Sequence, residues 1–387
     1  MKFKFYIFQS DYTHPFGQDM KLETGFKGTI RDISSDFVSR YFDQNTQNWI
    51  TNTNLSNNLD YRDQVYGAYL NFANRYKDFG YQVGIRVEQT YTKIDQLTMN
   101  QTFENNYIDL FPSVFLTQTL FNKLNEIQVN YTRRINRPSM WQLNPFTDYS
   151  DPQNLRKGNP YLNPEYVNSF ELSYLRYFTT FTLTGTVFYR NVKDVINRVV
   201  NIIDSTSTIV TFDNIAKSNS YGLELVLAGN LAKWWNLNAN FNYSKYTVSG
   251  GSKYNDIDNN ADVWSVKFMN NFIFSKILEL QIAYFYTGKM VTLQGGLEPM
   301  QSLDIGIKKD FFNKRLSLTL RSSDVMNTMK FVMSSSGSNF IMDANRKRNS
   351  RMLFLTLTYR FGTDQKLLSQ KRQKRQQQND ENPMEDF

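Results

Sequence analysis

The sequence of 387 residues contains no cysteine and a single histidine, His14. Without cysteine the chain has no disulfide framework and no thiolate metal ligand. One histidine cannot supply a multi-histidine metal site, and it leaves little basis for a histidine-based catalytic triad. We therefore predict no catalytic site, no metal site and no cofactor.

Long hydrophobic runs are also missing. A membrane-spanning helix needs roughly 18 consecutive apolar residues, and the longest apolar cluster, 181–189, is interrupted by Thr and Gly. The mean hydropathy is −0.53 although aromatic residues make up 16% of the chain. The apolar residues are numerous but are spread evenly along the sequence. This distribution indicates a sheet with one apolar face rather than a packed globular core.

The N-terminus lacks the features of a secretory leader. Residues 1–8 combine positive charge with only about four uninterrupted apolar residues, and no cleavage site of small residues follows. A protein built to span an outer membrane must be exported. We therefore expect this chain to be the C-terminal part of a longer protein.

A two-residue alternation of apolar and polar side chains recurs almost to the end of the chain. In the segment 80–95, Val83 and Ile85 alternate with Gly84 and Arg86. Successive side chains of a strand point to opposite faces, so each such segment separates an apolar medium from a polar one. Segments of this length, divided by alternately short and long gaps, are typical of an antiparallel transmembrane β-barrel.

The alternation predicts about fifteen strands. We place them at 3–8, 20–31, 61–76, 80–95, 106–120, 125–137, 166–177, 181–203, 207–230, 235–248, 262–275, 277–289, 299–311, 314–324 and 349–361. Bacterial single-chain barrels have an even number of strands. The first strand runs down to a short turn, as an even-numbered strand does, so a 22-stranded barrel without its first seven strands fits the count.

Gap lengths and aromatics orient the barrel. Short gaps, which face the periplasm in such barrels, are flanked by aromatic pairs such as Phe178 with Phe181 and Trp234 with Trp235. Aromatic residues favour the membrane interface, so these pairs predict one girdle. Long gaps at about 96–105, 138–165, 249–261, 290–298 and 325–348 are predicted to be extracellular loops.

Periodicity ends near residue 362. The barrel is therefore assigned to residues 1–362, and the polar stretch 363–387 is predicted to be a disordered tail. The tail holds much of the excess positive charge, which is +8 over the whole chain. No basic helix or RNA-binding signature accompanies that charge, so nucleic acid is not an expected partner.

The stretch from Arg133 to Tyr174 carries the most distinctive motifs. Arg137-Pro138-Ser139-Met140-Trp141-Gln142-Leu143-Asn144-Pro145-Phe146 is followed by Gly158-Asn159-Pro160-Tyr161-Leu162-Asn163-Pro164-Glu165 and then by Glu171-Leu172-Ser173-Tyr174. Prolines at this density exclude both a long helix and a central strand.

This order of blocks resembles the barrel of TonB-dependent outer-membrane receptors, in particular the branch known as an outer-membrane β-barrel family. Further matches are Tyr12-Thr13-His14-Pro15-Phe16, Gly84-Ile85-Arg86-Val87-Glu88, Asp324-Val325-Met326-Asn327 and Leu357-Thr358-Tyr359-Arg360-Phe361. The resemblance extends over roughly residues 10–362. It implies a location in the Gram-negative outer membrane and uptake of a scarce ligand, such as a siderophore, an oligosaccharide or a peptide. It also implies partnership with membrane lipid, TonB and a plug domain, although no plug is visible in this sequence.

Two groups of residues are candidate ligand contacts under this resemblance. The loop aromatics that could stack on a ligand are Trp141, Phe146, Tyr149 and Tyr161; the alternative is that they pack within a folded loop that closes the barrel mouth. The charges predicted to face the lumen are Arg86, Glu88, Arg134, Glu171, Arg190, Glu224, Arg315 and Arg321; the alternative is a hydrated ladder of paired charges on the wall.

Two other functions stay open at this point. A surface barrel could bind a ligand or adhere to a partner without transport. A barrel hydrolase would need a histidine or carboxylate constellation near the outer rim, and the placement of His14 in a predicted periplasmic turn argues against it.

Overall fold

The computed structural model describes residues 1–361 except 122, 205, 251–257, 276 and 338–339. The tail predicted for 363–387 lies outside the described residues. In chain order the strands are β1 (Lys2–Pro15), β2 (Lys21–Phe37), β3 (Arg40–Asp43), β4 (Asn48–Thr51), β5 (Asn57–Tyr76), β6 (Phe79–Gln96), β7 (Gln101–Leu120), β8 (Asn125–Asn136), β9 (Thr147–Asp148), β10 (Asn154–Lys157), β11 (Glu165–Tyr177), β12 (Phe181–Ile202), β13 (Thr208–Ala232), β14 (Trp235–Ser249), β15 (Asp258–Ser275), β16 (Leu278–Thr287), β17 (Met290–Thr292), β18 (Gly295–Leu297), β19 (Met300–Phe311), β20 (Leu316–Ser323), β21 (Phe331–Gly337), β22 (Phe340–Arg346) and β23 (Met352–Tyr359), and helix α1 (Met140–Leu143) lies between β8 and β9.

Fifteen long strands form one continuous antiparallel sheet in chain order: β1, β2, β5–β8, β11–β16, β19, β20 and β23. With the short strands β9 and β10 the sheet has 17 strands. The predicted all-β class and the count of fifteen are confirmed. Within the described ranges no pairing joins β1 to β23, and the 22-stranded closure stays a prediction.

The two faces of the sheet follow the alternation in the sequence. On β6, Val83 and Ile85 are 50% and 46% exposed, whereas Glu88 and Thr90 on the opposite face are buried. The exposed apolar face is the one that meets lipid in a transmembrane barrel, and we call it the outer face. The face that carries Glu88 and Thr90 is the inner face. Among the described residues, no helix has the length and apolar character needed to cross a membrane.

The short turns bear the predicted aromatic pairs. The rings of Phe178 and Phe181 stack with centroids 4.3 Å apart, and Trp234 stacks on Trp235 at 6.1 Å. Both pairs flank short turns at the same end of the sheet as the turn after Pro15, which the bond from the Phe16 amide to the Met20 carbonyl closes. These pairs mark the interface at that end.

The predicted boundaries are wrong mainly at the opposite end, where strands are longer and loops more structured. At this end β7 begins at Gln101, so the long loop expected at 96–105 is a short turn. At the short-turn end, the first strand continues to Pro15. The loops expected at 290–298 and 325–348 contain the hairpins β17–β18 and β21–β22. Beyond the lipid neither face must be apolar, so the alternation fades while backbone pairing continues.

The assigned faces predict opposite responses to charge at neighbouring positions of β23. Leu355 is 71% exposed on the outer face, and Thr356 points to the inner face. Leu355→Arg should destabilise the folded barrel in lipid vesicles by about 2–4 kcal/mol, because it places a cation in hydrocarbon. Thr356→Arg should be tolerated. Denaturant titration in vesicles measures both, and equal losses of stability in the two variants would show that the assigned faces are wrong.

Candidate functional site

Residues 137–164, which we call the mouth loop, fold over the inner face at the end of the sheet opposite the short aromatic turns. Their prolines limit α1 to four residues, and the Ser139 amide donates to Gln142 Oε1 at 2.8 Å. The Gly158 amide donates to the Asn144 carbonyl at 2.8 Å. A Cβ on Gly158 would lie 2.4 Å from that carbonyl oxygen, so this close crossing of the loop on itself requires glycine.

An apolar cluster holds the mouth loop against the wall. Leu143 and Leu162 are 4% and 0% exposed, and they pack against Leu59, Tyr61 and Ile94 on β5 and β6. Burial of each leucine contributes about 2 kcal/mol. The cluster lies on the inner face, so the mouth loop covers that face at this end of the sheet.

Arg137, the first residue of the mouth loop, is bound to a buried acid of the wall. Its guanidinium donates to Glu88 Oε2 at 2.7 Å and to Thr90 Oγ1 at 2.9 Å. Burial opposes the charged form of Arg137, but the hydrogen bond and the charge of Glu88 more than offset it and raise the pKa of Arg137. This pair fixes the point at which the loop leaves β8.

The predicted wall charges are largely paired with one another. Arg86 contacts Glu88 at 3.0 Å, and Arg190 contacts Glu171 at 3.3 Å. Arg134 is exposed on the inner face next to these pairs. Glu88 is shared between Arg86 and Arg137, so the geometry resembles the ladder of paired charges that was the alternative to ligand contact.

The predicted loop aromatics do not form one cluster. Trp141 is 61% exposed and meets Phe212 edge to face, with ring centroids 4.6 Å apart. Trp141 and Phe146 line the same cavity of about 590 Å³ between the mouth loop and the wall. Tyr161 is 77% exposed and meets Phe103 in a neighbouring cavity. Tyr149 is 43% exposed and outside the described lining of the first cavity.

Sequence reasoning missed several residues that line the 590 Å³ cavity. Besides Trp141 and Phe146, its described wall includes four basic residues and one acidic residue: Arg156, Lys157, Arg198, Arg346 and Asp148. Arg156 and Lys157 lie on β10, which pairs in parallel with β13, while Arg198 lies on β12 and Arg346 on β22. No local pattern connects these positions, because only the pairing of distant segments brings them together.

Asp324 anchors the base of the segment that carries Arg346. Its carboxylate accepts bonds from the amides of Thr328 and Met329 and from the Ser350 hydroxyl. Burial raises the pKa of Asp324, but these hydrogen bonds outweigh burial and hold that pKa below its ordinary value. The carboxylate therefore stays ionised at neutral pH and closes the segment 324–350 into a loop.

A family model described as the outer membrane protein beta-barrel family matches residues 1–359. The chain belongs to this family. It is therefore a β-barrel protein of the Gram-negative outer membrane. No curated protein matches the sequence.

Solved structures of TonB-dependent receptors share the fold. The copper transporter OprC is 12% identical with a TM-score of 0.61, the ferric-catecholate import receptor Fiu of E. coli K12 is 14% identical with 0.63, and the ferric yersiniabactin uptake receptor FyuA of Yersinia pestis is 13% identical with 0.62. Each comparison covers 93% of this chain and 57%, 55% and 54% of the respective receptor, so the chain spans about half of their length. These neighbours are transport receptors rather than enzymes.

The contact between Arg137 and Glu88 predicts how firmly this family member holds its mouth loop. Arg137→Ala leaves the Glu88 carboxylate, 12% exposed, without its partner from the loop. Because Arg86 still pairs with Glu88 at 3.0 Å, the free energy of opening the mouth loop should fall by about 2 kcal/mol, the size of one lost hydrogen bond between charged groups. Hydrogen exchange of the Asn163 amide, which donates to Asn214 Oδ1 on β13 at 2.8 Å, measures the opening.

Arg62→Ala is the matched control for this prediction. Arg62 pairs with Asp32 at 2.7 Å, but its side chain is 59% exposed. Removal of such a surface pair should change stability by less than about 1 kcal/mol. Equal acceleration of exchange in the two variants would mean that Arg137 does not hold the loop.

Proposed function

We propose that this chain is the barrel of a TonB-dependent receptor that brings a scarce ligand into the periplasm. The candidates are a siderophore, an oligosaccharide and a peptide. The observation that carries the proposal is the 590 Å³ cavity between the mouth loop and the inner wall. Ligand pockets of small molecules are typically about 300–1,000 Å³ and mostly apolar with a few fixed polar groups.

The position of the cavity supports uptake rather than adhesion. Its lining combines mouth-loop residues, such as Trp141, with wall residues, such as Leu59 and Phe212. A ligand held there would lie inside the barrel mouth, whereas an adhesive surface would present its contacts outward. The fold shared with OprC, Fiu and FyuA gives further support at the level of architecture.

Physically, the barrel would supply walls and loops without covalent chemistry. Trp141 and Phe146 would stack on the ligand, and polar groups of the wall would orient it. Onward passage requires the mouth loop to release Leu143 and Leu162 from the wall or the ligand to pass beside them. The partners in this proposal are a plug domain within the barrel and TonB, which would supply the energy for release.

Competition growth tests the proposal without knowledge of the ligand. A strain deleted for the gene competes with its parent under separate limitation of iron, copper, carbohydrate and peptide, in hosts with and without TonB. The proposal predicts a fitness loss under at least one limitation that disappears in the host without TonB. An equal loss in both hosts would identify a surface barrel that acts without transport, and no loss under any limitation would contradict uptake.

A further inference from the structure

Basic side chains from three separate segments converge on the 590 Å³ cavity. Arg156 and Lys157 come from β10, Arg198 from β12 and Arg346 from β22. Against these four cations, the described lining holds one carboxylate, Asp148. Asp148 accepts a bond from the Ser150 amide at 2.9 Å, so part of its acceptor capacity is already used.

These four cations differ from the other inner-face arginines. Arg31, Arg190 and Arg321 each contact a carboxylate, at 2.8, 3.3 and 2.7 Å. Within the described part of the chain, no carboxylate lies within ion-pair distance of the four cavity cations, and the charge of Arg156 acts on the Asp151 carboxylate from farther away. The described hydrogen bond of Arg198 goes to the thioether sulfur of Met333 at 3.7 Å, a weak acceptor. Among the described contacts, guanidinium donors of Arg198 therefore stay available to a ligand in the cavity.

The cations also act on one another. Burial opposes the positive charge of Arg198 most strongly, and the charges of Arg156 and Arg346 oppose it further. A wall that gathers like charges around a cavity creates a positive potential there, which concentrates anions. A bound anion with two or more negative groups would remove this repulsion.

The remainder of the lining is apolar and aromatic. Trp141, Phe146, Phe212 and Phe37 line the same cavity as the cations. The guanidinium group of arginine can donate two parallel hydrogen bonds to a carboxylate or phosphate group. The exposed aromatic rings favour a ligand with a flat ring on which they can stack.

We propose that the cavity binds a small polyanion, in which two or more carboxylate or phosphate groups are carried by a planar ring. This assignment rests on the proposed uptake function and names the class of its ligand. Phosphate groups of lipopolysaccharide share part of this chemistry, so the test separates a diffusible ligand from lipid.

Trimesate, a benzene ring with three carboxylates, is a suitable probe. Calorimetric titration of the full chain in phospholipid nanodiscs without lipopolysaccharide should show binding of trimesate that weakens as salt is raised, because salt screens the attraction. The uncharged tris(hydroxymethyl)benzene has the same ring without the charges, and it should not bind measurably. Equal binding of the two compounds would overturn the proposal.

Three single variants locate the binding to the cations. Arg198→Ala and Arg346→Ala should each weaken trimesate binding about tenfold, corresponding to about 1.4 kcal/mol. Arg346 is exposed on a loop hairpin, so its variant tests the proposal even if Arg198→Ala fails to fold. Lys77→Ala removes a charge from a short turn at the opposite end of the sheet and should leave binding unchanged. Equal effects of all three variants would show that binding depends only on the net charge of the protein, and would overturn the proposed site.

Two further outcomes separate the hypotheses. Loss of trimesate binding on addition of lipopolysaccharide would assign the cations to lipid phosphate and overturn the assignment to a diffusible ligand. Specific trimesate binding together with a failed competition experiment would support the polyanion site while contradicting transport. TonB-dependent uptake without specific trimesate binding would support transport and contradict the polyanion site.

Discussion

Every backbone amide and carbonyl that enters lipid must find its hydrogen-bond partner within the protein, and the rest of this structure depends on that constraint. Consecutive antiparallel strands meet it by pairing with the next segment of chain, as β5 pairs with β6 and β6 with β7. Once the backbone is paired, each side chain has only two directions available. One direction faces lipid and the other faces the interior, so a chain with low mean hydropathy can still belong in a membrane.

The interior is organised by fixed charges and by one folded loop. Glu88 joins the wall to Arg137, while the leucines of the mouth loop pack higher on the same face. Paired charges stiffen the wall, whereas the cations beside Trp141 have no ion pair among the described residues. The same face thus separates into a structural part, where carboxylates neutralise arginines, and a part that presents positive charge to a cavity.

The sequence predicts the features that depend on local alternation and misses those that depend on distant pairing. A period of two is enough to count fifteen strands and to place Leu355 and Thr356 on opposite faces. It fails where strands leave the lipid, as at Gln101, because both faces there tolerate polar residues. Arg137 lies in a recognisable motif, but its partner Glu88 is 49 positions away, and no local signal connects them. Arg198 and Arg346 line the same cavity only because the fold brings β12 and β22 together.

The length of the strands sets where this protein encounters its surroundings. β12 and β13 contain 22 and 25 residues, whereas a tilted strand crosses the hydrocarbon with about 9–11. At about 3.3 Å per residue and a tilt near 40°, the remaining residues of these two strands extend roughly 30 Å beyond the lipid. The ends of β12 and β13 are therefore surrounded by water on both faces, so the residues there are free of the rule that one face must be apolar.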